Sequence, residues 1–281
     1  MNYQKIITAL TCEPLLITPA AQAALVELFA LHAALSKEDF KATREGTSMS
    51  GENLEIEQAE LIDGIMHIPI GGPVGLRLGT FEKGAGAVDL LDVQQELKTA
   101  EADPMVQGVL LEFDSPGGMV AGTPETADMI ARMEKPVLSY IHEANSAAYW
   151  LASASDGIFG TTTASAGSIG VYIPFVDQSV AFAARGLKMD VIKNDGATYK
   201  GMGFPGTSLT EEQRQHLVEH ANTIAAMFKA HVRANRGDVA EHYMRGQSLM
   251  AQEAVDAGLM DGIVEDKAAV IRMLKGQAVS P

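Results

Sequence analysis

From residue 61 onward the chain alternates short apolar runs with segments of helical spacing, and that alternation restricts the fold more than any other feature. Ile65–Ile70 is an apolar run closed by Gly71-Gly72-Pro73, the pattern of a strand followed by a turn. Val88–Ala100 carries Leu90, Leu91, Val93 and Leu97 at helical spacing; Val106–Phe113 reads as a strand, Pro124–Met133 as a helix and Pro136–Ile141 as a strand. Ala147–Ala154 is a helix of small residues. Ile158–Gly160, Ile169–Ile173 and Met189–Lys193 have the composition of short strands. Thr210–Asn235 is a long helix with Thr210 as N-cap and Glu211 and Glu212 in its first turn. Gln252–Ala257 begins a last short helix, and Gly262–Val264 ends the alternation. Strands that are largely apolar on both faces belong to a mostly parallel sheet covered by helices, so the expected class is α/β.

Upstream, Pro19–Leu35 is an Ala-rich helical segment and Ser36–Gln58 has the polar, aperiodic composition of a linker. We therefore expect an N-terminal helical segment and linker over residues 1–60 and one α/β domain over 61–281. The chain has 281 residues, 47% of them hydrophobic, enough for a full core. Its formal charge of -15 repels phosphate backbones and argues against a nucleic-acid partner. The single cysteine, Cys12, rules out an intrachain disulfide and a Cys-based zinc site. His216 and His220 stand at i,i+4, but without an HExxH pattern they read as a solvated helix face, and no metal is expected. No run of about 18 apolar residues suggests a membrane span. Ile6–Leu10 is too short for the core of a signal peptide, so a cytoplasmic location is expected.

Three loops that follow strands could hold a site. Asp114-Ser115-Pro116-Gly117-Gly118 can present bare backbone N–H groups to an oxyanion, or serve as a plain turn. Glu143-Ala144-Asn145-Ser146-Ala147 sits where a strand meets a helix, at the carboxyl edge of the sheet where open α/β folds place their ligands; Ser146 there is either a nucleophile or an ordinary N-cap. Ala164-Ser165-Ala166-Gly167-Ser168-Ile169-Gly170-Val171 holds Ser168 between nearby glycines, in a turn or a site. Lys200, in Gly196-Ala197-Thr198-Tyr199-Lys200-Gly201, could act as a general base if burial keeps its amine neutral, with Tyr199, Met202 and Phe204 available as an apolar wall. No Gly-x-Ser-x-Gly motif accompanies the serines, which disfavours a Ser-His-Asp hydrolase.

Taken together, Asp114–Gly118, Asn145-Ser146-Ala147, Thr163–Val171, Thr198-Tyr199-Lys200 and the Ala251–Leu259 segment ending in Ala-Gly-Leu resemble the signal peptide peptidase A family of Ser-Lys serine peptidases, in the family's order. The likeness covers about residues 60–265. Glu13-Pro14-Leu15, Asp103-Pro104-Met105-Val106 and the run from Asp114 to Gly122 resemble one branch of that family, the capsid assembly (prohead) proteases of lambda-like phages. Many members of that branch carry a C-terminal scaffold extension; with Pro281 as the last residue here, the expectation is a separately encoded scaffold or a relative with another task.

The resemblance implies a crotonase/ClpP-like superspiral that assembles into a homo-oligomer. It implies Ser146 as nucleophile, Lys200 as base, Ser168 as the group that orients the lysine amine, and Gly117 and Gly118 as the oxyanion hole. A substrate strand would pair with backbone near Gly118 and Met119-Val120-Ala121. No cofactor is implied; the partners are protein or peptide substrates, scaffold or capsid proteins in the phage branch, met in the host cytoplasm or inside the prohead. A bacterial peptidase of the same family is one alternative. A crotonase-type acyl-CoA enzyme, with Glu143 as its carboxylate, is another.

Overall fold

The computed structural model describes residues 14–34 and 58–277. The stretch expected to be a linker lies outside them except for Gln58, as does Cys12. Two compact units divide the chain. The larger comprises Leu16–Gly170 with Met227–Pro281, and the smaller Val171–Ala226 with the residues up to Leu15.

Four parallel strands form the centre of the larger unit: β3 (Ile65–Gly71), β6 (Gly108–Ser115), β8 (Val137–Asn145) and β9 (Gly157–Gly167). They pair in the order β3-β6-β8-β9, with Ile65 opposite Gly108, Val109 opposite Val137 and Leu138 opposite Gly157. β2 (Glu60–Ile62) runs antiparallel on the edge of β3, β10 (Ser248–Met250) runs antiparallel on β9, and β11 (Gly262–Ile263) adds a short parallel pairing to β9. The mostly parallel α/β class expected from the doubly apolar strands is thus what forms: Ile65, Val109, Leu110, Leu111, Val137, Leu138, Ile141 and Ile158 are all buried.

A second, four-stranded sheet has the order β1-β7-β4-β5, from β1 (Leu15–Ile17), β7 (Gly117–Met119), β4 (Val74–Gly75) and β5 (Val88–Asp89). Helices α1 (Pro19–Ala34), α2 (Thr80–Gly84), α3 (Leu90–Ala102), α4 (Thr123–Ala131) and α5 (Ala147–Ala152) follow in chain order. Asp89 opens α3 as a side-chain N-cap, accepting from Leu91 N at 3.0 Å, so the helix starts two residues later than its apolar spacing suggests.

The smaller unit contains α6 (Ser179–Ala184) and the first part of α7 (Glu211–Arg236). Thr210 caps α7 through a reciprocal pair, Gln213 N donating to Thr210 Oγ1 at 3.2 Å and Thr210 N donating to Gln213 Oε1 at 3.1 Å. His216 and His220 are exposed on this helix, as expected. Residues 169–173 and 189–193, expected to be strands, form none. Of the first group only Tyr172 makes a β-bridge, with Leu15, and in the second Ile192 is 94% exposed. A short apolar run becomes a strand only where a neighbour supplies backbone partners, and 189–193 has none among the described residues.

Downstream, α8 (Ala251–Asp256) matches its expected position within a residue. α9 (Lys267–Gln277) was not foreseen. Its signal is present in the sequence: Val270 and Leu274 stand at i,i+4, and Ala269 N donates to the Asp266 carboxylate at 2.9 Å in the first turn. Both residues are fully buried against Ile65, Leu110, Leu138 and Tyr140, closing one face of the central sheet.

Candidate active site

Strand register brings the serines to one edge. β8 and β9 end in step, with Asn145 opposite Gly167, so the next residue of each strand, Ser146 and Ser168, leaves the sheet at the same level. Both serines have positive φ, 54° at Ser146 and 52° at Ser168, a region that L-residues avoid at a cost of about 1–3 kcal/mol. Backbone bonds hold the strain in place: Ser146 N donates to Gly167 O at 2.9 Å and Ser168 N to Gln247 O at 2.7 Å. Ser146 stands at the N-cap position of α5 but makes no side-chain cap bond, which removes the ordinary structural reason for a serine there. It is 2% exposed.

Gly117 completes the cluster. It has φ 103°, and a Cβ on it would stand 2.1 Å from Leu16 O, 2.9 Å from Asn145 O and 2.9 Å from Ser146 Cβ. Only glycine fits, and the Gly117 backbone is therefore in contact with the Ser146 side chain. The Gly117 N–H reaches Ser115 Oγ at 3.3 Å, a long bond that a developing oxyanion can outcompete. Gly118 lies equally close to Val74, whose carbonyl oxygen would be 1.9 Å from an added Cβ. Met119 and Val120 are half-buried and Ala121 is exposed. Their loop is engaged with α4, since Thr123 Oγ1 donates to Met119 O at 2.8 Å and Thr123 N to Val120 O at 3.1 Å. The carbonyl oxygens of Met119 and Val120 are thus occupied by Thr123.

The residues behind Ser146 explain a motif that sequence spacing left without a role. Tyr149 on α5 is fully buried and its hydroxyl donates to Leu259 O at 3.0 Å. Burial pushes the Tyr149 phenol well above its ordinary range, so it stays a donor. Leu259 follows Gly258, whose φ of 74° ends α8, so the Ala-Gly-Leu turn presents the carbonyl that anchors α5. Trp150 stacks on Phe228 of α7, centroids 4.6 Å apart and planes within 4°. Phe228 is fully buried, while Met227 on the same helix is half exposed.

Asn145, part of the sequence motif but assigned no role there, is 3% exposed, and its Nδ2 donates to Glu143 Oε1 at 2.8 Å. Its Oδ1 is buried without a partner among the described residues.

Lys200 belongs to the smaller unit. It is exposed, and its backbone N donates to Ala197 O at 3.1 Å in a succession of turns. The expected apolar wall is open: Tyr199 is 43% and Phe204 47% exposed, with Tyr199 stacked on His216 at 4.2 Å.

Residues 130–280 match the model of Peptidase family S49. The chain belongs to that family. The matched stretch includes Ser146, Ser168, Lys200 and the Leu259 turn, and begins after Gly117 and Gly118. The chain is 31% identical to the capsid assembly protease C of Escherichia phage lambda over 93% of its own length and 63% of that protein. It is 29% identical to the head-tail preconnector protein GP5 of Enterobacteria phage P21, over 96% of its length and 56% of that protein. A putative signal peptide peptidase SppA from Enterococcus faecium is 30% identical over 60% of this chain and 50% of its own. The chain thus spans less than two thirds of the length of each of these relatives. No helix among the described residues is long and apolar enough to cross a membrane.

Proposed function

We propose that the chain is a serine endopeptidase with a Ser146–Lys200 dyad that matures phage head proteins, scaffold or capsid, as a homo-oligomer. The observation that carries the reading is Ser146 itself: a buried serine with φ 54°, free of a capping role, touching the Gly117 backbone at the carboxyl edge of a parallel sheet. Ser146 Oγ attacks the substrate carbonyl carbon while the neutral Lys200 amine takes its proton. The Gly117 and Gly118 N–H groups receive the oxyanion. Lys200 then passes the proton to the leaving amine and activates the water that frees Ser146. Ser168 orients the lysine amine.

The exposure of Lys200 fits an enzyme whose base is covered on assembly. Val180, Leu187, Ile192 and Phe204, all in the same unit, are 47–94% exposed, an apolar surface suited to a second copy. The charge of -15 supports protein over nucleic acid as substrate. Relatives with phage-head names support the host cytoplasm or the prohead interior as the place of action. An acyl-CoA reading finds less support, because the Glu143 carboxylate it would use is held by Asn145.

The test is co-expression with the head proteins of the same phage, followed by mass spectrometry of the particles. Wild-type chain should yield truncated scaffold or capsid species, and Ser146→Ala only full-length ones. Truncation that persists unchanged with Ser146→Ala would sink the assignment.

A further inference from the structure

β7 is the strand on which a substrate would have to pair, and neither of its edges is free. β4 takes one, with Val74 opposite Gly118. β1, which begins at the second described residue, takes the other. β1 is not loosely laid there: Leu15, Leu16 and Ile17 are 2%, 0% and 3% exposed, and Thr18 N donates to Pro116 O at 3.0 Å. Its Leu16 carbonyl oxygen meets Gly117 at the same point that Ser146 Cβ does, so a peptide carbonyl of the chain itself stands beside the nucleophile and the oxyanion glycine. Leu15 in addition makes a two-way backbone bridge with Tyr172, its N donating at 2.9 Å and its O accepting at 3.3 Å.

We infer that β1 occupies the site of the substrate strand, as a resident competitor that substrate must displace. The inference rests on Ser146 being the nucleophile. An extended segment bound through main-chain hydrogen bonds to a sheet edge, with alternate side chains buried, is the pattern of β-augmentation. Here the chain supplies its own such segment, Leu15-Leu16-Ile17, next to the groups that would cut a foreign one. Two consequences follow. The site takes extended, branched aliphatic segments like β1. Apparent affinity for substrate is lowered by the fraction of molecules in which β1 has left the edge, so weakening β1 raises activity instead of lowering it.

The experiment uses the full chain, a boronic acid carried on a Leu-Leu peptide, and hydrogen exchange read by mass spectrometry. Boron forms its bond to Ser146 Oγ and the serine proton leaves to the base, so the adduct mass reports whether the nucleophile is competent. Amides of residues 15–18 should be protected in the resting protein and lose protection when the adduct forms. Leu16→Asp should form the adduct at least about tenfold faster, as expected when a competing state of about 90% occupancy is emptied. A synthetic peptide covering Glu13–Ala20, added to Leu16→Asp, should slow it again. Adduct formation with residues 15–18 still protected would overturn the inference and leave Ser146 standing. Absence of any adduct in wild type and Leu16→Asp alike, with both shown folded by circular dichroism, would overturn the Ser146 reading and this inference together. Should Leu16→Asp fail to fold, the wild-type exchange measurement decides alone.

Discussion

The two units treat their candidate catalytic groups in opposite ways. In the larger, Ser146 sits at the end of a buried strand, its backbone held by a hydrogen bond to Gly167 O and its helix anchored by Tyr149 and Trp150. In the smaller, Lys200 lies in turns between 187 and 210, exposed, and α6 has no buried residue. A nucleophile must be aimed, and aim comes from packing. A lysine that serves as a base must be desolvated, which a surface loop achieves only when something covers it. The contrast teaches that the fold of the larger unit fixes the geometry of Ser146 through packing, whereas Lys200 would need covering to serve as a base.

The contrast predicts, first, that Ser146→Ala and Lys200→Ala each lower peptide hydrolysis by about three orders of magnitude or more, and that the double variant is no worse than either single one, because the two groups act as a unit. Initial rates on an unfolded protein substrate, with circular dichroism as the folding control, check this. A Lys200→Ala variant with near-normal rates would show that the smaller unit contributes no base.

Stability should separate the units more gently. Phe228→Ala removes the ring stacked on Trp150 and should cost about 3–5 kcal/mol in denaturant unfolding. Ile192→Ser, at a residue 94% exposed, should change the stability of the chain by no more than about 0.5 kcal/mol and yet reduce the mass seen by light scattering on dilution, if that surface is where copies meet. An unchanged oligomer would move the interface elsewhere.

The smallest effect concerns His231. Burial holds its imidazole below the ordinary value of 6.5, with Asp128, at 3.9 Å, opposing in part. The folded chain therefore binds a proton there less readily than the unfolded chain does. Its contribution is fully present above about pH 6.5 and is lost as pH falls from there toward the lower folded value. His231→Asn should flatten that acid slope in melting temperature measured from pH 7 to 5; an unaltered slope would assign the acid sensitivity to other groups.

Class, the central strands β3, β6 and β8 and the positions of the three loops were legible in the sequence, because they follow from local period and from glycine and proline. The capping of α7 by Thr210 was legible for the same reason. Other features depended on contacts distant in sequence. Apolar composition at 189–193 could not reveal that no strand lies beside it, and Val270 and Leu274 gained meaning only against Ile65, Leu110 and Leu138. For the site, the sequence marked Ser146, Ser168, Gly117 and Gly118 as candidates but left each with an ordinary structural use. Tertiary structure removed the capping use at Ser146, which makes no side-chain cap bond, and brought Gly117 against it where Asn145 pairs with Gly167. Register is a property of two strands at once, and so is a close backbone approach; neither is contained in any one segment. The occupation of the β7 edge by Leu15–Ile17 is of the same kind, since a hundred residues of chain separate the two strands that meet there.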